Sequence, residues 1–143
     1  MEKKVEKAYI MLKPDAVKNK VMGKIITMIE EQNGLSIVNA KMIKLNEKLI
    51  MEHYAHLTQF DFFPSLSEFM MSGNCLALIV EGENAVAKMR SIMGPTKNAK
   101  ELAPNSIRGL FSESTTKNVI HGSDSVENAK IEIQRFFGDN QDL

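Results

Sequence analysis

The sequence predicts a mixed α/β or α+β sandwich, in which helices cover a small sheet. Short apolar runs at 8–12, 35–45, 75–80 and 119–120 are bounded by Gly, Pro or polar residues, as strands commonly are. The segments between these runs carry apolar residues at helical spacing. The 143 residues suffice for one domain with its own core, so we expect a single domain over residues 1–143.

Five segments carry their apolar residues on one face at helical spacing. They predict helices over 21–29, 46–57, 65–71, 85–93 and 126–137, and residues 138–143 form a polar tail. The continuous apolar run from Cys75 to Val80 is typical of a central strand. Residues 94–107 follow neither period and predict a long loop, and such a loop inside a compact domain usually has a function.

Composition narrows the functional classes. Lys plus Arg equals Asp plus Glu at 18 each, whereas nucleic-acid binders usually carry a net basic charge. Cys75 is the one cysteine, so no internal disulfide can form, which fits a reducing compartment. The apolar run at 8–12 is too short for a signal peptide or a membrane span. We expect a soluble cytoplasmic protein with neither a membrane nor a stable nucleic-acid partner.

The stretch from Asn118 to Ser125 predicts a strand end followed by a helix start. Val119 and Ile120 end the apolar run, and Gly122 is expected to break the strand. His121 would then lie where free backbone N–H groups and the helix dipole favour an anion. A lone histidine at a strand end is more often structural, so local sequence alone argues only weakly for function.

Several basic and hydroxyl side chains are candidates for a polyphosphate site. Lys13 follows a strand, Arg90 lies on a predicted helix, and Thr96 and Arg108 lie in and after the long loop. Arginine forks bind phosphate oxygens in pairs, and lysine binds them as a point charge. Taken singly, each has an ordinary explanation, such as a solvated charge on a helix or a residue that caps a turn.

The aromatic and histidine candidates also have ordinary explanations. Phe62 is more often a core residue than a ligand platform, and Tyr54 is most often a packed aromatic. His53 and His56 are three residues apart, but no carboxylate or cysteine cluster supports a metal site, so both are interpreted as surface histidines.

Familiar catalytic motifs are absent from the sequence. It contains no Gly-x-x-x-x-Gly-Lys-Ser/Thr loop, no Gly-x-Gly-x-x-Gly and no Gly-x-Ser-x-Gly elbow. Cys75 lies in an apolar run and is a poor nucleophile. Histidine can itself be a covalent nucleophile, so the residues favour phosphate chemistry at His121.

The sequence resembles nucleoside diphosphate kinases. Asn118-Val119-Ile120-His121-Gly122-Ser123-Asp124-Ser125 is similar to the active-site signature of that family. Further motifs occur in the family's order: Lys13-Pro14-Asp15, Glu52-His53-Tyr54, Phe62-Phe63, Met71-Ser72-Gly73, Gly94-Pro95-Thr96 and Ile107-Arg108-Gly109. The resemblance covers about residues 7–137.

The resemblance implies a ferredoxin-like sandwich with a four-stranded antiparallel sheet. It also implies transfer of a γ-phosphoryl group from a nucleoside triphosphate to a diphosphate through a phosphohistidine. His121 would be the nucleophile, Glu132 would orient it, and Lys13 would assist catalysis. Mg²⁺ would bridge the phosphates of the nucleotide without ligands from the protein.

The same resemblance implies a nucleotide site. Lys13, Tyr54, Arg90, Thr96 and Arg108 match the groups that hold the phosphates. Lys13 and Asn118 match groups at the sugar hydroxyl, Phe62 would stack on the base, and Leu66 and Thr115 would line the base slot. Stacking without hydrogen bonds to the base edge tolerates any base, which predicts a broad nucleotide range.

Some positions depart from the family pattern and leave alternatives open. Ala16 and Leu110 differ from the common residues, and loop 94–106 contains Pro104-Asn105-Ser106 where Pro-Gly-Thr is frequent. This loop tends to build subunit contacts in the family, so a homo-oligomer is expected but either a tetramer or a hexamer fits. The alternative function is a nucleotide-binding regulatory module with little turnover, and a sheet-based nucleic-acid binder is disfavoured by 6% aromatics.

Overall fold

The computed structural model describes residues 5–138. In this range the strands are β1 (Val5–Leu12), β2 (Leu35–Lys44), β3 (Asn74–Glu83) and β4 (Ile120–Gly122). The helices are α1 (Pro14–Lys18), α2 (Met22–Glu30), α3 (Glu47–His53), α4 (Phe63–Met70), α5 (Ala85–Met93), α6 (Ala99–Leu102), α7 (Ile107–Phe111) and α8 (Val126–Phe137). A 3₁₀ turn at Ala55–Leu57 follows α3.

The four strands form one antiparallel sheet in the order β2-β3-β1-β4. This is the ferredoxin-like arrangement that the resemblance implied, and β3 is central as its apolar run predicted. Tyr9 pairs with Ile79, and Met11 pairs with His121. The short strand β4 therefore lies at the sheet edge beside β1, with its histidine directly opposite a buried residue.

Side chains of β1 alternate between two cores, one on each face of the sheet. Ile10 and Leu12 pack with Ile29 of α2 and Met89 of α5. On the opposite face, Tyr9 and Met11 pack with residues of α3, α4 and α8, which are Ile50, Leu66, Met70, Ile133 and Phe136. Helix α8, which carries Glu132, thus lies on the same face of the sheet as α3 and α4.

The prediction of a long loop over 94–107 is wrong in part. Residues Ala99–Leu102 form α6, and Arg108 lies in α7 rather than after a loop. Helix α6 has four residues and buries only Ala99, so no apolar period can be seen in its sequence. The ends of the predicted domain, residues 1–4 and the polar tail beyond Gly138, lie outside the described residues.

Strand β4 begins and ends one to two residues later than predicted. Gly122 does not break the strand but pairs with Ile10 inside it. A Cβ at this position would lie 2.5 Å from Sδ of Met93, so the side chain of the buried Met93 would have to shift to admit any other residue. His121 consequently lies within β4, and α8 starts after the N-cap Ser125. No helix over residues 5–138 has the length and apolar character to cross a membrane.

Candidate active site

The imidazole of His121 is held by a carboxylate from α8. Nε2 of His121 lies 2.9 Å from Oε2 of Glu132, and their side chains are 23% and 12% exposed. A carboxylate can only accept here, so the Nε2–H group donates and Nδ1 carries the lone pair. Nδ1 makes no hydrogen bond to the described part of the chain, which leaves it available to a ligand.

His53 belongs to the same cluster, so its interpretation as a surface histidine is wrong. Its side chain is 1% exposed, and its ring meets that of His121 edge to face with centroids 4.6 Å apart. Nη1 of Arg135 lies 3.0 Å from Nδ1 of His53. Arginine only donates, so Nδ1 accepts and the ring is the neutral Nε2–H tautomer. His56 is exposed, as expected.

The environment of His53 keeps its ring neutral. Burial, followed by His121 and Arg135, lowers the pKa of His53 to about 2. Its Nδ1 also lies 3.6 Å from Oε2 of Glu132. Because that nitrogen accepts from Arg135, it does not donate to Glu132, and the carboxylate remains directed at His121.

Lys13 reaches the site from the end of β1. Its Nζ donates to Oδ1 of Asn118 at 2.7 Å, and Nδ2 of Asn118 donates to the Thr115 carbonyl at 3.0 Å. Both Lys13 and Asn118 are buried. Burial, and then the nearby Arg108, lowers the pKa of Lys13 to about 8. This ammonium is therefore desolvated, and an anionic ligand would stabilise its charged form.

Two arginines bind the backbone on either side of His121. Nη2 of Arg108 donates to the Ile120 carbonyl at 2.8 Å, and Nη1 of Arg90 donates to the Gly122 carbonyl at 3.3 Å. Arg108 also donates to the Gly94 carbonyl at 3.0 Å. Burial, followed by Arg90, lowers the pKa of Arg108 to about 10. Cationic groups thus converge on His121 while hydrogen-bonding neutral carbonyls, an arrangement that suits a polyanion.

The backbone just before the histidine is strained. Val119 is fully buried, and its φ of 65° lies in the left-handed region, which is a genuine outlier for a β-branched residue. Such a conformation costs about 1–3 kcal/mol and persists only where its surroundings enforce it. The Val119 N–H donates to Oδ2 of Asp15 at 3.1 Å, and its carbonyl accepts from the Lys13 N–H at 2.8 Å.

Tyr54, the tyrosine predicted at the site, contacts the buried His53. The Tyr54 ring meets His53 edge to face at 4.6 Å, and its buried hydroxyl has no hydrogen-bond partner among the described residues. Burial raises the pKa of Tyr54, so its hydroxyl is a neutral donor. Tyr9 lies beneath the cluster, stacked on Phe136 with centroids 4.9 Å apart.

The residues predicted for the base slot are only partly grouped. Phe62 is 50% exposed and stacks on Phe60 with centroids 5.4 Å apart, so it is not a core residue. Leu66 is buried in the core beneath α4. Thr115 is exposed and lines a cavity of about 310 Å³ beside α6. The same cavity is lined by the exposed Thr96, which the resemblance assigned to the phosphates rather than to the base. An exposed aromatic pair is typical of a stacking platform.

Sequence reasoning missed His53, Arg135 and Asp15 as members of the cluster. His53 follows Ile50 by three residues, which places it on the buried face of α3, and this signal was available. Arg135 follows Glu132 by three residues on α8, but nothing local indicates that it meets α3. The contact between Asp15 and Val119 spans 104 positions and has no local signal.

One group of side chains over residues 5–138 offers three metal-ligand atoms within 4.8 Å of one another: His53, His121 and Glu132. Mg²⁺ prefers oxygen ligands in an octahedral arrangement, and two imidazoles do not supply them. The guanidinium of Arg135 also contacts this group. The donor set therefore does not fit Mg²⁺.

Comparison with known proteins identifies the family. The family model for nucleoside diphosphate kinase matches residues 6–141. A nucleoside diphosphate kinase of Campylobacter lari is 48% identical over 139 residues, covering 97% of this chain and 100% of the relative. That of Listeria monocytogenes is 42% identical, covering 97% and 93%.

Solved structures agree with the sequence comparisons. The Aquifex aeolicus nucleoside diphosphate kinase matches with a TM-score of 0.87 and 40% identity over 94% of this chain and 96% of that chain. A Halobacterium salinarum nucleoside diphosphate kinase in complex with CDP matches with a TM-score of 0.88 and 36% identity, covering 96% and 90%. The chain therefore belongs to the nucleoside diphosphate kinase family.

Proposed function

We propose that Nδ1 of His121 carries the phosphoryl group that this phosphotransferase moves from a nucleoside triphosphate to a nucleoside diphosphate. One observation carries the assignment: Glu132 occupies Nε2 of His121, which leaves Nδ1 without a hydrogen bond among residues 5–138. The cations of the site hydrogen-bond amide oxygens in this range rather than carboxylates, and two of them bind the carbonyls on either side of His121. A nucleophilic nitrogen, a fixed tautomer and a cationic surrounding are what phosphoryl transfer to histidine requires.

Two half-reactions use the same nitrogen. In the first, the lone pair of Nδ1 forms a bond to the γ-phosphorus while the bond from that phosphorus to the β,γ-bridging oxygen breaks, and the diphosphate leaves. In the second, a terminal oxygen of the acceptor diphosphate attacks the phosphorus, and the phosphorus–nitrogen bond breaks. The proton on Nε2 remains directed at Glu132 throughout, so the carboxylate offsets the positive charge that develops on the ring.

The basic cluster would supply most of the stabilisation of the transition state. Lys13, Arg90 and Arg108 would bind phosphate oxygens, assisted by the hydroxyls of Tyr54 and Thr96. In-line transfer depends mainly on positioning and electrostatics, and the buried Lys13 and Arg108 would act strongly where water is excluded.

Nucleoside diphosphate kinases need a divalent cation for catalysis, and we propose Mg²⁺ for this one. The donor set of the chain does not fit that ion, so the phosphates of the nucleotide would carry it. Bound there, Mg²⁺ would offset phosphate charge.

The nucleoside would be held by contacts that do not distinguish bases. Asn118, already hydrogen-bonded to Lys13, would meet a sugar hydroxyl. The exposed face of Phe62 would stack on the base, with Leu66 and Thr115 beside it. Every base has a π-face, so we expect a broad nucleotide range.

A two-step label transfer tests the proposal. The protein is mixed with γ-³²P-ATP and Mg²⁺, freed of nucleotide, and then given unlabelled GDP. We expect an acid-labile label on the protein that moves to GTP. His121→Ala should take no label yet still bind nucleotide, and the exposed His56→Ala is the matched control that should behave like the wild type.

A wild-type protein that binds nucleotide but takes no label would favour the alternative, a nucleotide-binding regulatory module on the same scaffold. Label on His121→Ala would refute the covalent route through this residue.

We further propose that residues 1–143 form one domain and that the protein is a cytoplasmic homo-oligomer. The free, buried Cys75 supports a reducing compartment, and the family membership supports the oligomer. Light scattering after gel filtration would choose between monomer, tetramer and hexamer.

A further inference from the structure

The chain makes a tight turn at Val119, between Asn118 and Ile120. The Ile120 N–H donates to the Asn118 carbonyl at 2.8 Å, a hydrogen bond that spans only two residues. With the φ of 65° at Val119, this is the rare γ-turn whose central residue has a positive φ. Valine adopts this conformation poorly, so neighbouring groups must hold it.

Those neighbouring groups belong to the segment that follows β1. The Val119 N–H donates to Oδ2 of Asp15, and the Val119 carbonyl accepts from the Lys13 N–H. The N–H and the carbonyl of Val119 are therefore both hydrogen-bonded to one short segment, residues 13–15. Asp15 is 6% exposed and lies in the first turn of α1, so its carboxylate cannot readily move away.

The turn separates two parts of the proposed site. On one side, Oδ1 of Asn118 accepts from Nζ of Lys13 at 2.7 Å. On the other side, the Ile120 carbonyl accepts from Arg108 at 2.8 Å, and His121 follows immediately. If the turn opened, the groups at the nucleotide and the nucleophile would shift relative to each other.

We infer that Asp15 is a positioning residue, whose Oδ2 holds the γ-turn at Val119 and so aligns Lys13 and Asn118 with the imidazole of His121. The inference rests on the proposed function of that site. It assigns to Asp15 a hydrogen-bonding role rather than that of a counter-charge to Lys13. The two roles make different predictions, because asparagine keeps an acceptor oxygen but has no charge.

The test measures the single-turnover rate of phosphoenzyme formation at saturating ATP in three variants. Asp15→Ala leaves the Val119 N–H without its acceptor, and we expect a loss of about 10–100-fold. Asp15→Asn should stay within about threefold of the wild type, because its amide oxygen can still accept. Asp61→Ala, at an exposed aspartate, is the matched control and should retain the wild-type rate.

The double variant Asp15→Ala/Val119→Gly gives the sharpest result. Glycine adopts a positive φ without steric cost, so the turn no longer depends on Asp15. We expect the double variant to react at least about threefold faster than Asp15→Ala, even though losing the buried valine lowers its melting temperature. A role in stability alone would make the double variant worse, not better.

Several results would overturn the inference. If Asp15→Ala reacted at the wild-type rate, the inference would be excluded. If Asp15→Asn were as slow as Asp15→Ala, the role of Asp15 would be that of a charge. If the double variant were no faster than Asp15→Ala, the turn would not determine the rate. Hydrogen exchange at the Val119 amide gives a readout independent of turnover: we expect faster exchange in Asp15→Ala than in the wild type. Failure of the wild type to form a phosphoenzyme would count against the proposed function, while the exchange result would still test Asp15.

Discussion

Nε2 of His121 and Oε2 of Glu132 lie 2.9 Å apart, and this contact decides which imidazole nitrogen is free to react. The Glu132 carboxylate accepts this hydrogen bond and the imidazole donates it, so the nucleophilic lone pair is confined to Nδ1. The carboxylate comes from α8 and the histidine from β4, so the packing of that helix against the sheet fixes the nucleophile.

Glu132→Gln should slow phosphoenzyme formation by about 10–100-fold, since a hydrogen bond to a charged group contributes about 1.5–3 kcal/mol. The amide oxygen can still accept from Nε2, so nucleotide affinity should change little. Stopped-flow or quench-flow measurement of the first half-reaction checks this, with the exposed Glu127→Gln on the same helix as control. An unchanged rate in Glu132→Gln would remove the carboxylate from the mechanism.

The pH dependence of kcat/KM should reflect Lys13. Burial and Arg108 lower the pKa of this lysine to about 8, so the ammonium that would bind phosphate is lost as the pH rises through that value. We expect kcat/KM to fall above about pH 8, and kcat to fall only at higher pH, because bound phosphates stabilise the charged form.

Lys13→Arg is the control for this assignment. Its guanidinium stays charged well above pH 8, so the alkaline fall in kcat/KM should move to higher pH even if the maximum is lower. Stability should change in the opposite direction to kcat/KM. The unfolded chain keeps the Lys13 proton up to a higher pH than the folded chain does. The free energy of unfolding should therefore increase as the pH rises between the two pKa values. A kcat/KM profile that is the same in both proteins would contradict the assignment.

Arg108 and Arg90 should differ in their effect on stability. Arg108→Ala leaves the buried carbonyl of Ile120 and the partly buried carbonyl of Gly94 without this donor, at about 1–3 kcal/mol, so Tm should fall by roughly 5 °C. Arg90 is exposed and makes one longer bond, so Arg90→Ala should lower Tm little.

Both arginine variants should nevertheless lose phosphate affinity and rate. Steady-state kinetics at several nucleotide concentrations, together with thermal unfolding, would separate the two effects. The exposed Lys97→Ala is the control for the loss of a positive charge near the same loop. An unchanged rate in Arg108→Ala would mean that the phosphate cluster is wrongly assigned.

Arg135 should determine the tautomer of His53. The wild-type ring should stay neutral with its proton on Nε2 between pH 5 and pH 9, because its pKa is lowered to about 2. In Arg135→Gln, Nδ1 is released from its strongest donor and we expect a proton there, donated to Glu132, which lies 3.6 Å away.

That competition for Glu132 should lower the rate of phosphoenzyme formation by about 3–10-fold, the effect of one weakened hydrogen bond. Long-range ¹H–¹⁵N NMR on ¹⁵N-histidine protein reads the tautomer directly, and Lys130→Gln, exposed on the same helix, is the control. A wild-type His53 that titrates near pH 6, or that carries its proton on Nδ1, would refute this account of the cluster.

Local patterns in the sequence were sufficient for most of the architecture. The continuous apolar run of β3 indicates a strand that is buried on both faces, as the structure shows. The apolar residues of α5 and α8 recur at helical spacing, since a helix face repeats every 3.6 residues. Helix α6 was not predicted, because four residues are too few to show a period.

The site could be predicted only in part, because its contacts join distant segments. His121 and the basic residues were found as separate candidates, and only the family resemblance brought in Glu132. The γ-turn at Val119 was invisible, since valine gives no signal for a positive φ. That strain is enforced by Asp15 from the other end of the chain, so it exists only in the folded protein.

The measurement that tests the central claim most directly is the position of the phosphate on the phosphoenzyme. The protein labelled with ¹⁵N-histidine would be phosphorylated with ATP and Mg²⁺, and phosphorus–nitrogen and long-range ¹H–¹⁵N couplings would be recorded. We predict one phosphate, on Nδ1 of His121, with Nε2 still protonated toward Glu132. A phosphate on Nε2, or on any residue other than His121, would contradict the account.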